Sequence, residues 1–377
     1  MMSNTFLTPS IIAKEALMVL RNNLVFANLV HRDYSSEFAA KVGDTITIRK
    51  PATFEAKEFD ATSGISVQDV TEQGVAVKLD KHLDVSFEIT SKERALELQD
   101  FSQQVLVPAM SAFGQKIDEY LAGLYVDIPY YTGTPGTTPS TAADIANCGK
   151  VLNINKAPMR DRQLVIDPEA QAKLIVLDSF MEVDKAGTTE ALRNANLGRL
   201  LGFDTYMDQN IKAHTAGTLS AGEGNEILIN GAVSAGKTQA VFDASSLTGN
   251  LKKGDLFTVE DAPGVYTVTE DATAESNEIV VKFYPAAPAG GFGDNKKVTL
   301  IGAHTANLAF HRNAFALVTR PLELPAGAAN AAIVSYDGYV LRVVMDYDIS
   351  KKKDVVSIDM LCGVKTLTPE LACRLVG

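Results

Sequence analysis

Asn22-Asn23-Leu24-Val25-Phe26-Ala27-Asn28-Leu29-Val30-His31-Arg32-Asp33-Tyr34 leads, across a short polar stretch, into Lys41-Val42-Gly43-Asp44-Thr45-Ile46-Thr47-Ile48-Arg49-Lys50-Pro51. The first segment reads as a short apolar helical arm. The second reads as a Gly-Asp turn opening an extended strand, with Val42, Asp44, Ile46 and Ile48 on one side and Thr45 and Thr47 on the other. Neither carries a catalytic pattern. Upstream, Thr8-Pro9 is a helix start, with Pro at the first helical position. Ile12, Ala16, Val19 and Leu20 then share one face.

Downstream of Pro51 the residues from Phe54 to Ser66 are polar and turn-rich. Val75 to Ile89 then returns to period-two alternation through Val75, Val77, Leu79, Leu83, Val85, Phe87 and Ile89. Two long strands around a polar tip predict an extended hairpin. Isolated hairpins are marginal in water, so this one needs a surface to lie on. Thr90-Ser91-Lys92-Glu93 reads as a capping box. A long helix is expected from there to about Tyr125, kinked at Pro108.

A Gly/Thr/Pro linker, Thr132 to Pro139, marks a boundary. Beyond it, Thr141 to Asn153 reads as helix and Gln163–Ile166 as a short strand. Asp167-Pro168-Glu169 caps a further helix, Leu192 to Leu201 reads as helix again, and Gly202–Tyr206 as strand. From about Ala216 helical spacing disappears. Short strands at Glu226–Ile229, Gln239–Phe242, Leu256–Val259, Val265–Thr269, Glu278–Tyr284 and Lys297–Ile301 predict a small β-barrel or sandwich inserted into an α+β module. Ala309–Val318 resumes that module. Tyr339–Tyr347 and Asp354–Met360, joined by a turn through Lys351–Lys353, read as a closing antiparallel pair.

The chain has 377 residues, enough for two or three domains, with 46% hydrophobic and 21% charged residues and a formal net charge of −11. So acidic a chain is a poor wrap for nucleic acid, which needs an excess of Lys and Arg. The first fifty residues hold six bases against four acids, whereas Ala216 to His304 holds six bases against eleven acids. This asymmetry points to separate modules. Three scattered cysteines, Cys148, Cys362 and Cys373, without a CxxC pair, argue against a disulfide framework or a zinc site. The N-terminus lacks the pattern of a signal peptide, and no apolar run approaches the roughly 18 residues that span a membrane. A reducing cytoplasm is the expected place of synthesis.

One motif does invite a chemical reading. Gly231-Ala232-Val233-Ser234-Ala235-Gly236-Lys237-Thr238 satisfies the phosphate-loop pattern in full, with Gly231, Gly236, Lys237 and Thr238 in the key positions. That chemistry needs a strand before the loop and a helix after it. Gln239–Phe242 reads instead as strand, so the segment is expected to be a turn between barrel strands. The candidate metal-holding acid, Asp178, lies upstream on an expected helix. Ser234–Lys237 also fits the Ser-x-x-Lys pattern of acylating enzymes, but the partner motifs are missing. Five histidines show no metal spacing. No catalytic residue, metal ligand or cofactor is assigned.

The order of these pieces resembles the major coat proteins of tailed double-stranded-DNA phages, the Hong Kong ninety-seven type capsid fold. Within it, the closest resemblance is to the podophage-like subfamily with an inserted immunoglobulin-like or telokin-like domain. The phrases that carry it are Leu24–Tyr34, Val42–Pro51, Leu164–Glu169, Thr189–Arg193 with Gly198–Asp204, and Leu251–Val259 in the insertion. The resemblance implies an α+β fold divided into an N-terminal arm (1–41), an extended hairpin or E-loop (42–90), a spine helix (91–140), an axial domain (141–215), an inserted β-barrel (216–304) and closing strands (305–377). It implies no enzyme activity and no cofactor. It implies self-assembly into pentamers and hexamers of an icosahedral shell around double-stranded DNA. Partners would be further copies of the chain, a scaffolding protein, a portal and a decoration protein, with no membrane. The localisation would be the virion, assembled in the host cytoplasm. Phe26, Leu29, Val30, Phe54 and Phe59 are the expected inter-subunit contacts, and Gly43 and Pro108 the expected hinges. Competing readings are a phosphate-loop enzyme at Lys237, an encapsulin-like compartment and a secreted carbohydrate-binding module.

Overall fold

The computed structural model describes residues 8–32, 45–49, 74–89, 102–177, 194–195, 197–325, 327, 330–348 and 353–377. Gly43, Phe54, Phe59, Asp178 and the Thr90–Glu93 capping box lie outside the described residues. The chain divides into two compact units.

The described residues of the first unit lie within Met1–Asn23, Arg32–Gly114 and Ala316–Leu367. Its frame is a five-stranded sheet in the order Phe315–Arg320, Lys353–Thr366, Tyr339–Asp348 and Asn330–Tyr336, with Lys81–Ile89 also pairing on Lys353–Thr366. Tyr339, Leu341, Val343 and Met345 are buried at period two, the spacing that sends alternate side chains to one face. Asp337 and Gly338 both have positive φ, 52° and 80°, and pair Tyr336 with Tyr339 across a two-residue turn. Such a turn matches the strand twist, and Asp-Gly is a preferred sequence for it. Helix Pro9–Asn23 packs Ile12, Ala16 and Leu20 on the Asn330–Tyr336 and Tyr339–Asp348 strands. Full burial of each Ile or Leu contributes about 1.5–3 kcal/mol. Arg21 and Arg32 each lie 3.4 Å from the Asp337 carboxylate at the turn.

Thr45–Arg49 runs antiparallel to Gly74–Lys78 in this unit. Ile48, Val77 and Leu79 pack against Ala316, Val318 and Leu367. The single strand expected from Val75 to Ile89 is divided at Leu79-Asp80. Its first half, Gly74–Lys78, pairs with Thr45–Arg49, and its second half, Lys81–Ile89, joins the main sheet. The chain crosses there against Gly363, where an added Cβ would stand 2.4 Å from the Lys78 carbonyl oxygen. Only glycine permits that approach.

The second unit lies within Leu24–His31, Gln115–Phe315 and Thr368–Gly377. A mixed sheet runs in the order Tyr131–Gly133, Ala372–Val376, His304–His311, Arg162–Ile166, Phe203–Met207 and Arg199–Leu200, with Ala213–His214 pairing onto the start of His304–His311. Helix Ala142–Ile154 begins at a reciprocal Thr141–Asp144 cap, and helix Pro168–Ile175 begins on the Asp167 carboxylate. Their apolar faces, Ile145, Cys148, Leu152, Ala170 and Leu174, join Leu164, Ile166, Phe203 and Leu375 in one core. Of the helix expected over Leu192–Leu201, Asn194 is helical, but the described residues from Leu197 onward are not. Arg199–Leu200 is a strand that turns back through Leu201 (φ 48°) and Gly202 (φ 92°) to pair with Phe203–Met207. A hairpin closed by a glycine outweighs the leucine spacing that suggested helix.

Between Ala213–His214 and His304–His311 the chain builds a closed six-stranded barrel from Gln239–Asp243, Glu278–Tyr284, Tyr266–Val268, Leu256–Val259, Lys297–Ile301 and Ile227–Ile229. Every neighbouring pair is antiparallel. Its core is aromatic: the Phe257 ring lies 5.2–5.8 Å from Phe242, Tyr266 and Phe283. The chain leaves and re-enters the mixed sheet on paired residues, His214 opposite His304.

The expected long helix is seen from Ser102. Ser102–Leu106 is a π-turn, Val107–Ala122 is α-helical, and Gly123–Asp127 closes as a 3-10 turn. Pro108 stands just past the π-turn. Pro has no N–H to donate, and Pro and π-turns are two of the recognised causes of helix bending.

Candidate functional site

The segment read first as an arm is docked into the second unit. Phe26 is buried and stacked on Phe310 at 5.1 Å, with Phe315 edge-on at 6.2 Å. Val30 is also fully buried, and Leu29 is half-buried. This corrects the reading of Phe26 and Val30 as contacts offered to a neighbour: their surface is consumed by the chain's own core. The His31 N–H donates to the Phe315 carbonyl at 3.1 Å and ties the segment to the strand edge.

Asp118, on the Val107–Ala122 helix, holds the start of that short arm helix. Its carboxylate accepts the Val25 and Ala27 N–H groups, each at 2.9 Å. Burial raises its pKa to about 7. The Val25 N–H works against the rise, and the charge of Asp208 adds to it. Asp208 is itself buried. Its Oδ1 accepts from Asn210, while Oδ2 has no partner among the described residues.

A second polar cluster joins the barrel to the mixed sheet. The Tyr125 hydroxyl lies 2.8 Å from His214 Nδ1, and His214 Nε2 lies 2.7 Å from Asp255 Oδ1. With a proton on Nε2, His214 donates to Asp255 and accepts from Tyr125. Asp255 also accepts the Gly217 and Lys252 N–H groups. Arg374, with no exposed surface, donates to the Gly254 carbonyl and to Thr267 Oγ1, both at 3.0 Å, and Thr267 donates on to the Pro129 carbonyl. Burial lowers the Arg374 pKa to about 10, so it stays charged at neutral pH. Gly254, at φ +97°, gives the room: an added Cβ would meet His214 and Arg374 at 3.2 and 3.5 Å. The Asp-His-Tyr order invites comparison with a nucleophilic triad, but the His214 and Asp255 side chains are 2% and 3% exposed, which closes them to a substrate. The arrangement is a structural joint.

His214 and His304 looked like unrelated lone histidines in sequence. They flank the barrel segment, and the structure sets their rings 4.9 Å apart. Burial lowers the His304 pKa to about 4. The two buried groups make opposite contributions to stability. Between 3.8 and about 7, Asp118 is protonated in the folded chain and ionised in the unfolded one, so its contribution falls as pH rises through that window. Between about 4 and 6.5, His304 is neutral when folded and charged when unfolded, so its contribution rises with pH. Relative to the parent chain, Asp118→Asn is expected to gain stability as pH climbs from 4 to 7, by up to about 4 kcal/mol. His304→Gln is expected to lose its relative advantage over the same range. Guanidinium unfolding midpoints at pH 4, 5.5 and 7 check both signs.

The phosphate-loop look-alike is a loop between Ile227–Ile229 and Gln239–Asp243, so strand, not helix, follows Thr238. Its amides already have protein acceptors: Gly231 N–H donates to Asp294 at 2.8 Å, Val233 to Phe292 at 3.0 Å, and Gly236 to Ala287 at 2.9 Å. A carboxylate at Gly231 repels the phosphate that the motif would cradle. Lys237→Ala is expected to leave the thermal melting curve with and without ATP–Mg²⁺ superimposable. Among the described residues no group of three or more His, Cys, Asp or Glu is set to hold a metal, and no helix is long and apolar enough to cross a membrane.

One exposed concavity stands out, about 670 Å³, lined by Lys150, Asn153, Ile154, Met159, Arg162 and Leu201 among others. Ile154, Met159 and Leu201 are 68%, 71% and 57% exposed around it. None of these residues was singled out from sequence, because apolar residues at the end of a helix and in a hairpin turn read as ordinary core.

No family model matches the chain. No curated protein matches it either. Solved structures do. A chain from Mycobacterium phage Che8 aligns at TM-score 0.50 and 18% identity, covering 93% of this chain and 90% of that one. The capsid of cyanophage P-SCSP1u aligns at TM-score 0.46 and 13% identity, over 88% and 83% of the two chains. The capsid of Ralstonia phage GP4 aligns at 0.45 and 11%, over 90% and 83%. The chain therefore has an α+β fold of the Hong Kong ninety-seven capsid type.

Proposed function

We propose that the chain is a major capsid protein, assembling into pentamers and hexamers of an icosahedral shell that encloses phage double-stranded DNA. The observation that carries this reading is the extent of the fold match to the Che8 chain, which takes in 93% of this chain. The chemistry agrees. The buried polar clusters among the described residues brace the fold, which suits a structural role. A net charge of −11 keeps the wall from binding packaged DNA tightly.

In this reading the barrel is an inserted domain, and its chain enters and leaves through the His214–His304 pairing. The long hairpin is an E-loop lying over a neighbouring subunit. Its partners are further copies, a scaffolding protein, a portal and a decoration protein, and its place is the virion. Closed rings follow when one heterologous contact repeats with a rotation that closes, and many modest contacts together give a stable shell. Sedimentation of the chain, expressed alone and with its neighbouring genes, tests the reading. Material moving as large, homogeneous particles supports it. A monomer under every condition overturns it. Protein cargo in place of DNA in native particles points to an encapsulin-like compartment.

A further inference from the structure

Two of the three thiols meet inside the second unit. Cys148 sits on helix Ala142–Ile154 and Cys373 on the closing strand Ala372–Val376, 225 positions apart in the chain. Both are fully buried in the same apolar core. Thr132, on strand Tyr131–Gly133, touches both. Its hydroxyl lies 3.0 Å from the Cys148 sulfur and accepts from the Cys373 thiol at 4.0 Å. The two thiols also share a hydrogen bond. Burial first, and then that bond, hold the Cys373 thiol well above its usual pKa. A protonated thiol is a poor nucleophile, so the pair persists as a dithiol in a reducing cytoplasm.

We propose that Cys148 and Cys373 are an oxidisable pair, which closes to an internal disulfide when the folded chain passes from reducing to oxidising surroundings. The oxidant is a peroxide, of which hydrogen peroxide is the simplest. One thiol gives up its proton and its sulfur attacks a peroxide oxygen. The O–O bond breaks, leaving a sulfenic acid and one water. The second thiol attacks that sulfur, the S–S bond forms, the S–O bond breaks and a second water leaves. Two electrons pass from the two sulfurs to the peroxide.

The way in is the sheet edge. Tyr131–Gly133 is three residues long and is the outermost strand of its sheet, paired with Ala372–Val376. Tyr131 and Thr132 are half-buried. Short edge strands open more readily than the interior of a sheet, and opening here lifts the Thr132 hydroxyl off both sulfurs. Few chains are open at a time, so oxidation is slow. The bond closes a loop that contains the whole barrel, and a cross-link over so long a loop constrains the unfolded chain strongly. It also fixes the strand that carries Arg374, the residue that braces Gly254 and Thr267. The pair stands whether or not the chain builds a shell. On the shell reading, the oxidising step comes when a particle made in the cytoplasm leaves the cell.

The test uses the purified full chain, in whatever assembly state it adopts, freed of reductant and exposed to hydrogen peroxide for increasing times. Free thiols are counted with DTNB in denaturant, and linked peptides are identified by mass spectrometry without reduction. The expected result is a fall from three free thiols per chain to one, at monomer size on a non-reducing denaturing gel. A Cys148–Cys373 peptide that dithiothreitol releases accounts for the loss. The melting temperature of the oxidised chain is expected to rise by roughly 5 °C. Cys148→Ala and Cys373→Ala should each abolish the link and the rise, while Cys362→Ala, in the first unit, should keep both. The peptide map of the parent chain decides the matter even where a variant fails to fold. Three thiols that persist, or thiols lost to sulfinic acid without a linked peptide, overturn the proposal. So does a bond through Cys362 or between chains. Linked monomers in preparations that never form particles uphold the proposal and count against the shell reading alone.

Discussion

Arg374→Ala is expected to destabilise the second unit by about 3–5 kcal/mol, the cost of removing one member of a buried charge network. The side chain has no exposed surface and reaches from the closing strand Ala372–Val376 to the Gly254 carbonyl and the Thr267 hydroxyl. Truncation leaves those two acceptors without their donor and opens a cavity the size of the lost side chain. It also leaves Asp255 without one of the charges that offsets its burial. Arg374→Met separates the contributions. It fills most of the volume without a charge, and an apolar replacement of a buried ion is often far milder than truncation. Chemical unfolding midpoints, read by intrinsic fluorescence, should therefore fall steeply for Ala and much less for Met. Equal losses would mean that the network, and not the volume, dominates. An unchanged midpoint for Ala would contradict the structural joint altogether.

Phe257→Ala is the second large effect. The ring lies at the centre of the barrel, within 6 Å of three other aromatic rings, and is fully buried. Removing it costs about 3–5 kcal/mol in lost transfer energy and residual cavity. The barrel is small, and small cores have little stability in reserve. The expected outcome is local: amide exchange accelerates across residues 227–301 while the strands Arg162–Ile166 and His304–His311 keep their protection. Uniform acceleration across both would show that the barrel does not open separately.

How much of this was legible beforehand depended on whether the deciding physics was local. The barrel strands were legible because each is a short β-rich run bounded by turn residues, and the longest, Glu278–Tyr284, alternates with Ile279, Val281 and Phe283 inward. The helix opened by Asp167-Pro168 was legible for the same reason, since its cap is a sequence feature. Arg199–Leu200 was misread as helix because leucine spacing is ambiguous over a few residues, and the deciding feature was the backbone turn at Leu201-Gly202. Phe26 and Val30 were misread as contacts for a neighbour. An apolar stripe says that it will be buried, and not by which chain. The joint at Tyr125, His214, Asp255 and Arg374 was missed because its members are up to 249 positions apart and share no motif, being brought together only by the barrel's entry and exit strands.

The most direct measurement is electron microscopy of the purified chain, expressed with and without its neighbouring genes. The expected result is closed shells, or tubes and capsomer rings when a scaffold is missing, with five- and six-fold clusters of the subunit resolved in averaged images. A homogeneous field of single 40.4 kDa particles in every preparation would contradict it.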